Sequence, residues 1–407
     1  MVFRKKNSQV ARSFGWKVAW TAFLVAVFSW GIGFYGPSVF LVTLHAAHGW
    51  TISSISTAIS THFLFSAVLV TWLPEAHRRF GIAKVTQAAI ALSILGLLAW
   101  ANARQPWQLF PAALLSGAGW AATSGAAINA MVAPWFDKDR PRALSLAFNG
   151  ASIGGLVLTP LWVALIAQAG FPLAAAIIGA IMAAALWPVT AQFLRPRPSG
   201  EPASPGKPHQ DHQRAAATAT TSRAGLLRDR RFTTLSGAFA LGLFAQVGLF
   251  AHLLTRLAPE FGSSGAAWAI SLATVCAVAG RTMLAWLLGE RNRRIAASAN
   301  FALQACGTVL LTLGSGAPAL LCGCILFGLG VGNLISLPPL IAQKEFAAGD
   351  VSTVVALITA VNQAVFAFAP AILGVLRDLE GGYALPFAVA ACVQVAASLM
   401  VIAHRAK

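Results

Sequence analysis

Twelve apolar runs of about 18 to 26 residues recur along this 407-residue chain, at about 18–43, 52–73, 84–101, 107–131, 143–168, 171–194, 232–257, 266–288, 295–314, 318–341, 351–376 and 384–403. A helix of about 20 residues is roughly 30 Å long, the thickness of a bilayer's hydrocarbon core. A soluble core of comparable size would alternate short apolar segments with charged faces. Here 57% of residues are hydrophobic and only 10% charged, where an ordinary soluble domain carries roughly 25% charge. The pattern predicts an all-α membrane protein with twelve transmembrane helices.

The net charge of +17 raises the question of a nucleic-acid partner, and its distribution answers it. With the N-terminus in the cytoplasm, the inward segments hold 25 Lys and Arg, whereas the outward loops hold three, Arg104, Arg256 and Arg377. Basic residues stay on the cytoplasmic side of short loops. The asymmetry predicts cytoplasmic termini and no nucleic-acid partner. The basic start "FRKKNSQVAR" leads into an apolar stretch longer than a signal h-region, so no cleaved leader is expected. A bacterial-type inner (plasma) membrane is the expected location. The five cysteines, Cys276, Cys306, Cys322, Cys324 and Cys392, fall within predicted spans without metal-ligand spacing. They are expected to act as small packing residues.

Residues 195–230 break the apolar pattern with a stretch rich in Pro, Ser, Ala and Arg, too polar to build a core. The expected organisation is a six-helix bundle over 1–194, a flexible cytosolic linker over 195–230 and a second six-helix bundle over 231–407. His209 and His212 in the linker are read as incidental rather than as metal ligands. The halves repeat each other. "LLSGAGW" at 114–120 matches "ILFGLGV" at 325–331, pairing Gly117 with Gly328 and Gly119 with Gly330 at an offset of 211. Asn149 and Pro160 correspond to Asn362 and Pro370 at offsets of 213 and 210. Six helices per half preserve orientation, so the repeats are parallel. Secondary transporters of that design hold substrate between repeats near mid-membrane.

These features resemble the major facilitator superfamily over essentially the whole chain. "GFYGPSVFLVTLHAAHGWTISSIS" (33–56) and "APWFDKDRPRALSLAFNGASIGG" (133–155) resemble its monocarboxylate-transporter and oxalate–formate antiporter branch, with Trp135, Phe136, Arg140, Gly150 and Gly154 in that branch's pattern. The resemblance implies that Arg281, in the eighth span, is the ligand of an anionic substrate. The chain also departs from the family. Arg78 stands where the superfamily loop carries an acid. Ala277 replaces the aspartate of proton-coupled animal carriers one turn before the arginine. The eleventh span lacks the lysine of the oxalate–formate type.

The residues around Arg281 allow an independent argument. It lies about eight residues, roughly 12 Å, from the cytoplasmic end of its span, close to the midplane of the hydrocarbon. An arginine at the centre of an isolated span costs on the order of 2.5–3.5 kcal/mol on insertion scales. Snorkelling, or a bond to a backbone carbonyl, would be structural explanations. Thr274, Ala277 and Ala285 leave room on its face, and a guanidinium fork suits a carboxylate. All twelve acidic residues fall in loops or at predicted helix ends. The spans thus carry fixed positive charge without an acid at mid-depth, which points to an anionic guest.

Two histidines lie within spans, His62 in the second and His252 in the seventh. Each is a candidate proton acceptor, and equally a neutral core imidazole. Arg256, one turn beyond His252, reads as an interface anchor. Tyr35, Asn333 and His252 are candidate substrate ligands beside Arg281, because the family resemblance places spans 1, 4, 7 and 10 along the cavity. Asn129, Asn149, Asn362 and Gln363 read as helix–helix glue. Pro160, Pro338, Pro339 and Pro370 are expected to bend or break their helices. Trp16, Trp50, Trp72, Trp100, Trp107, Trp135 and Trp268 are expected to mark the membrane interfaces. No P-loop, H-E-x-x-H or G-x-S-x-G occurs, so neither an ATP-driven pump nor a hydrolase is expected, and no cofactor.

The expected function is secondary transport of a small organic anion, monocarboxylate-like, by alternating access. Proton symport through His62 or His252, anion exchange and uniport are the coupling modes the sequence allows. A carrier of an inorganic anion, an exporter of a hydrophobic compound and a non-transporting sensor are the alternatives.

Overall fold

A computed structural model of the chain describes residues 2–136, 139–194, 223–288, 292–347 and 350–403. In chain order the helices are α1 (Val2–Gly33), α2 (Gly36–His48), α3 (Ile52–Val70), α4 (Leu73–Phe80), α5 (Ile82–Ala101), α6 (Leu109–Ala121), α7 (Gly125–Val132) and α8 (Arg140–Phe193). They continue with α9 (Arg223–Arg228), α10 (Arg230–Leu288), α11 (Arg293–Leu313), α12 (Ala317–Val331), α13 (Asn333–Glu345), α14 (Val351–Phe366), α15 (Ala369–Glu380) and α16 (Ala384–Ile402). Among the described residues, nine helical stretches are long and apolar enough to cross a membrane.

Two of those stretches, Arg142–Phe193 and Arg230–Leu284, are 52 and 55 residues long, more than twice what one crossing needs. Each leaves helical geometry at a single residue. Gly170 has φ 75° and ψ 164°, and Gly262 has φ 66° and ψ 168°. Only a residue without Cβ adopts such angles cheaply. Both lie in the short gaps that the hydropathy pattern leaves between successive apolar runs.

By contacts the described residues form two compact units, one from within 1–40 and 61–208, the other from within 41–60 and 209–407. Each unit packs its helices through small residues, and the two use the same register. In the first, a Cβ on Gly117 would lie 2.5 Å from the His62 carbonyl oxygen, one on Gly119 2.1 Å from Ser93 Oγ, and one on Gly96 2.5 Å from the Ser116 nitrogen. In the second, Gly328 meets the Ala273 carbonyl at 2.5 Å, Gly330 meets Gln304 Cγ at 2.3 Å, and Gly307 meets the Phe327 nitrogen at 2.4 Å. Every member of the second set lies 211 residues after its counterpart. Such distances exclude any side chain, so these glycines are what lets the backbones touch.

Several expectations are corrected. α8 is not broken at Pro160, nor α13 at Pro338 and Pro339. A proline removes one helical hydrogen bond, yet its fixed φ is itself helical. The tenth span instead changes helix at Gly332, six residues earlier than Pro338. Pro370 does follow an interruption, at the start of α15. Of the cysteines only Cys324 is buried, whereas Cys306, Cys322 and Cys392 are exposed. Trp100 is not an interfacial anchor; it is buried, with its indole N–H donating to Ser116 Oγ at 3.1 Å.

The expected linker falls largely on residues 195–222, outside those described, together with His209 and His212. Its last part is folded. Residues 223–228 form α9, and Leu226 is buried in the same apolar cluster as Phe232, Phe239, Phe301 and Leu337.

Candidate functional site

Arg281 lies in the second arm of α10, which packs along α12 through Ala273, Ala277 and Gly280. A Cβ on Gly280 would stand 1.9 Å from the Leu329 carbonyl oxygen, and one on Gly332 2.4 Å from that of Ala277. This closeness brings the guanidinium of Arg281, a half-buried residue, to the point where α12 gives way to α13. There Arg281 Nε–H donates to the Gly332 carbonyl at 3.2 Å. Gly332 keeps near-helical angles (φ −63°, ψ −20°). Its missing side chain is what admits the arginine, because a Cβ would sit 3.1 Å from both Nε and Nη2.

The next residue, Asn333, is buried. Its amide turns toward α11, with Nδ2–H donating to Asn300 Oδ1 at 2.7 Å and to the Leu329 carbonyl at 3.2 Å. Asn300 in turn donates to the Gly330 carbonyl at 3.1 Å. Arg281 and Asn333 therefore approach the same helix junction from different sides, and Asn333 belongs to an asparagine pair.

His252 sits in a separate cluster of the second unit, fully buried. Its Nε2 is 3.0 Å from the Pro370 carbonyl oxygen and its Nδ1 is 3.4 Å from the Tyr383 hydroxyl. A carbonyl only accepts, so Nε2 carries a hydrogen and Nδ1 of the neutral ring accepts from Tyr383. Segment 41–60 joins this cluster from the other side. Ser53 N–H, in the first turn of α3, donates to Asp378 Oδ2 at 2.7 Å, and Ser60 Oγ accepts the Ala371 N–H at 2.9 Å. A carboxylate at a helix N-terminus is favourable both as a cap and against the macrodipole. Arg256 donates to the Gly314 carbonyl at 3.3 Å.

The remaining candidates lie in the first unit. His62 Nδ1 is 2.9 Å from Ser116 Oγ, and its ring packs near Phe63 and Trp120. Tyr35 is buried at the junction of α1 and α2. Trp30 and Trp120 pack edge to face with centroids 5.0 Å apart. Arg78, in the acidic position of the family's loop, is paired with Glu75 at 2.5 Å. That hydrogen bond holds the guanidinium above its ordinary range. Among the described residues no three His, Cys, Asp or Glu side chains gather as a metal site would require.

Sequence reasoning missed one buried charge cluster. Arg294 opens α11 and is 2% exposed. It donates from Nε and Nη2 to the two Glu345 carboxylate oxygens, at 2.6 and 2.7 Å. It also reaches Thr234 Oγ1, the Val401 carbonyl and the Arg231 carbonyl at 2.8–2.9 Å. One guanidinium thus ties together α10, α11, α13 and α16. In sequence, Arg294 counts only among the basic residues of the inward segments.

Comparison with known proteins agrees with this architecture. The family model described as Major Facilitator Superfamily matches residues 19–402. An uncharacterized MFS-type transporter, YcxA of Bacillus subtilis (strain 168), is 34% identical over 76 residues, a match spanning 19% of either chain. The crystal structure of a mutant of nucleoside transporter NupG shares the fold at a TM-score of 0.73 and 12% identity, covering 95% of this chain and 99% of that one. A mutant peptide transporter POT does so at a TM-score of 0.71 and 16% identity, covering 95% and 93%.

Proposed function

Since this chain belongs to the major facilitator superfamily, we propose that it is a secondary transporter of a small monocarboxylate-like anion, working by alternating access with Arg281 as the anion's ligand. Twelve membrane crossings, cytoplasmic termini and an inner-membrane location complete the proposal. So does the division into two six-helix bundles joined by the 195–230 segment.

The observation that carries the substrate class is the position of Arg281, a half-buried residue, at a helix junction within a predicted span. A fork-shaped cation at that depth recognises a carboxylate by paired charge-assisted hydrogen bonds. Substrate charge would offset the cost of closing a dry site around it. The nearby acids in sequence stand at helix ends, and Glu345 is already bonded to Arg294. Tyr35 is retained as a polar partner of the substrate. Asn333 is less suited to that role, its amide being turned to Asn300. His252 or His62 would accept the coupling proton, and His252 has the better geometry because its Nδ1 faces a hydroxyl that can reverse its hydrogen bond. Exchange of one anion for another needs no such acceptor and is the second mode.

Uptake of radiolabelled monocarboxylates into proteoliposomes tests the assignment. Arg281→Lys and Arg281→Ala should abolish uptake while the protein remains inserted and monodisperse. Full uptake by either variant would remove Arg281 from the site. Competition by dicarboxylates, nitrate, nucleosides, peptides and lipophilic drugs separates the substrate classes, and saturable binding without flux would favour a sensor.

A further inference from the structure

α3 and α15 cap each other. Ser53 N–H, in the first turn of α3, donates to Asp378 Oδ2 at 2.7 Å. Two turns along α3, Ser60 Oγ accepts the N–H of Ala371, in the first turn of α15, at 2.9 Å. The contacts run in opposite directions, 53 against 378 and 60 against 371, so the helices are antiparallel and each satisfies a free N–H at the other's N-terminus. Phe368, at the N-cap position of α15, makes no side-chain cap of its own. Between the two caps the helices meet through small residues. A Cβ on Gly374 would stand 2.7 Å from both Cβ and Oγ of Ser56 and 3.3 Å from Ser53 Cα. Ser56 and Ser60 are buried.

Two properties make this seam able to part. The first is its chemistry. A carboxylate, a hydroxyl and two backbone N–H groups hold it, and each can exchange its partner for water at a small net cost. Serine and glycine also bring little apolar area that water would uncover. The second is its place in α3. Contacts put residues 41–60 in the second compact unit and 61–208 in the first, so the seam ends at the residue where α3 changes unit. The helix has no built-in hinge there. It is continuous from Ile52 to Val70 without glycine or proline, the usual causes of a kink. The outer part of α3 therefore moves with the rest of its helix only by leaving α15.

We propose that the α3–α15 seam is a releasable latch, in which Asp378 and Ser60 are the catches and Gly374 is the close contact that lets it shut. It parts along 53–60 and 371–378 when the substrate's route opens to the outer side. The inference rests on the transport reading above, which supplies cytoplasmic termini, hence the outer location of the seam, and the need for alternation.

The test is the reactivity of a single cysteine in the full-length protein, with its five native cysteines replaced by alanine, in right-side-out membrane vesicles. Ser56→Cys puts a thiol in the middle of the seam. Ala267→Cys, in the same unit and equally buried, is the control outside it. A charged, membrane-impermeant methanethiosulfonate is added to the outer medium. Ser56→Cys should react, and Asp378→Ala, which strips a charged cap from α3, should speed that reaction about tenfold. Gly374→Ala, whose methyl group props the helices apart, should speed it too. Asp378→Asn keeps an acceptor oxygen and should leave the rate near that of the parent. Ala267→Cys should stay unreactive throughout. No reaction at Ser56→Cys, a rate unmoved by both Asp378→Ala and Gly374→Ala, or reaction only from the inner side would overturn the latch. So would equal acceleration at both cysteines, the mark of general loosening. The assay needs no substrate, so the two readings fail separately. An unreactive Ser56→Cys beside intact carboxylate uptake refutes the latch alone, and a latch that opens without any carboxylate uptake refutes the substrate assignment alone.

Discussion

Arg281 Nε–H donates to the carbonyl oxygen of Gly332 at 3.2 Å, tying a guanidinium in the second arm of α10 to the point where α12 passes into α13. The bond depends on an absent side chain. A methyl group on residue 332 would stand 2.4 Å from the Ala277 carbonyl oxygen and 3.1 Å from two guanidinium nitrogens.

Gly332→Ala should therefore act on both packing and the site. Overpacking of this kind costs about 1–3 kcal/mol, and the displaced arginine should weaken carboxylate uptake by about tenfold or more. Gly381→Ala is a useful contrast: its φ of 78° makes alanine strained, but no atom lies within 4 Å of the new Cβ. It should cost stability while leaving the concentration dependence of uptake unchanged. Thermal unfolding and uptake kinetics on both variants separate the two effects.

Arg294 and Glu345 predict a larger stability effect. Removing one partner of a buried ion pair leaves the other desolvated, at about 3–5 kcal/mol. Arg294→Ala strands the Glu345 carboxylate and also frees the carbonyls of Arg231 and Val401. The double variant Arg294→Met, Glu345→Leu should recover a large part of that loss, because no buried charge remains. Apparent melting temperatures in detergent check this; a double variant no more stable than Arg294→Ala would show that the backbone bonds, not the ion pair, matter most.

What was legible in the sequence follows from the physics of each feature. The apolar runs could be read because bilayer thickness fixes their length, and Gly170 and Gly262 fall in the gaps between them. The repeat could be read because Gly117 and Gly328 occupy places where backbones touch and nothing larger fits. Arg294 could not be read this way. A basic residue at a helix start looks like interfacial charge, and its partners lie 51 to 107 residues away in sequence. The helix change at Gly332 was hidden for another reason. Pro338 and Pro339 are the stronger local signal, yet their φ suits a helix, while the packing of α10 against Gly332 is a tertiary fact. Asn333 was recognisable as a polar residue at depth, but which neighbour it faces is decided only by the rotation of α13.

The shared register gives a paired prediction. Gly117→Ala drives a methyl group into the His62 carbonyl, and Gly328→Ala drives one into that of Ala273, both at 2.5 Å. The two changes are equivalent in their own units and should destabilise by similar amounts, about 1–3 kcal/mol each. Their effects on transport should differ. Gly328→Ala disturbs the helix pair that carries Arg281, whereas the position 211 residues before Arg281 is Val70, which bears no charge. Comparable loss of stability with a greater loss of uptake in Gly328→Ala is the expected result.

His252 supplies the prediction on coupling. With Nε2–H held by the Pro370 carbonyl, the ring gains a proton only at Nδ1, and Tyr383 must then turn its hydroxyl from donor to acceptor. Protonation would place a cation in the cluster that joins α3 to α15 through Ser53 and Asp378. If His252 accepts the coupling proton, uptake by the wild type should rise as external pH falls. His252→Gln has the neutral ring's capacity to donate and accept but cannot titrate. It should still exchange one anion for another while losing both the pH dependence of uptake and accumulation driven by a pH gradient. Tyr383→Phe removes only the reversible hydroxyl and should weaken the pH dependence without abolishing it. An unchanged pH profile in His252→Gln would assign coupling elsewhere, and the same substitution at His62 then becomes the deciding measurement.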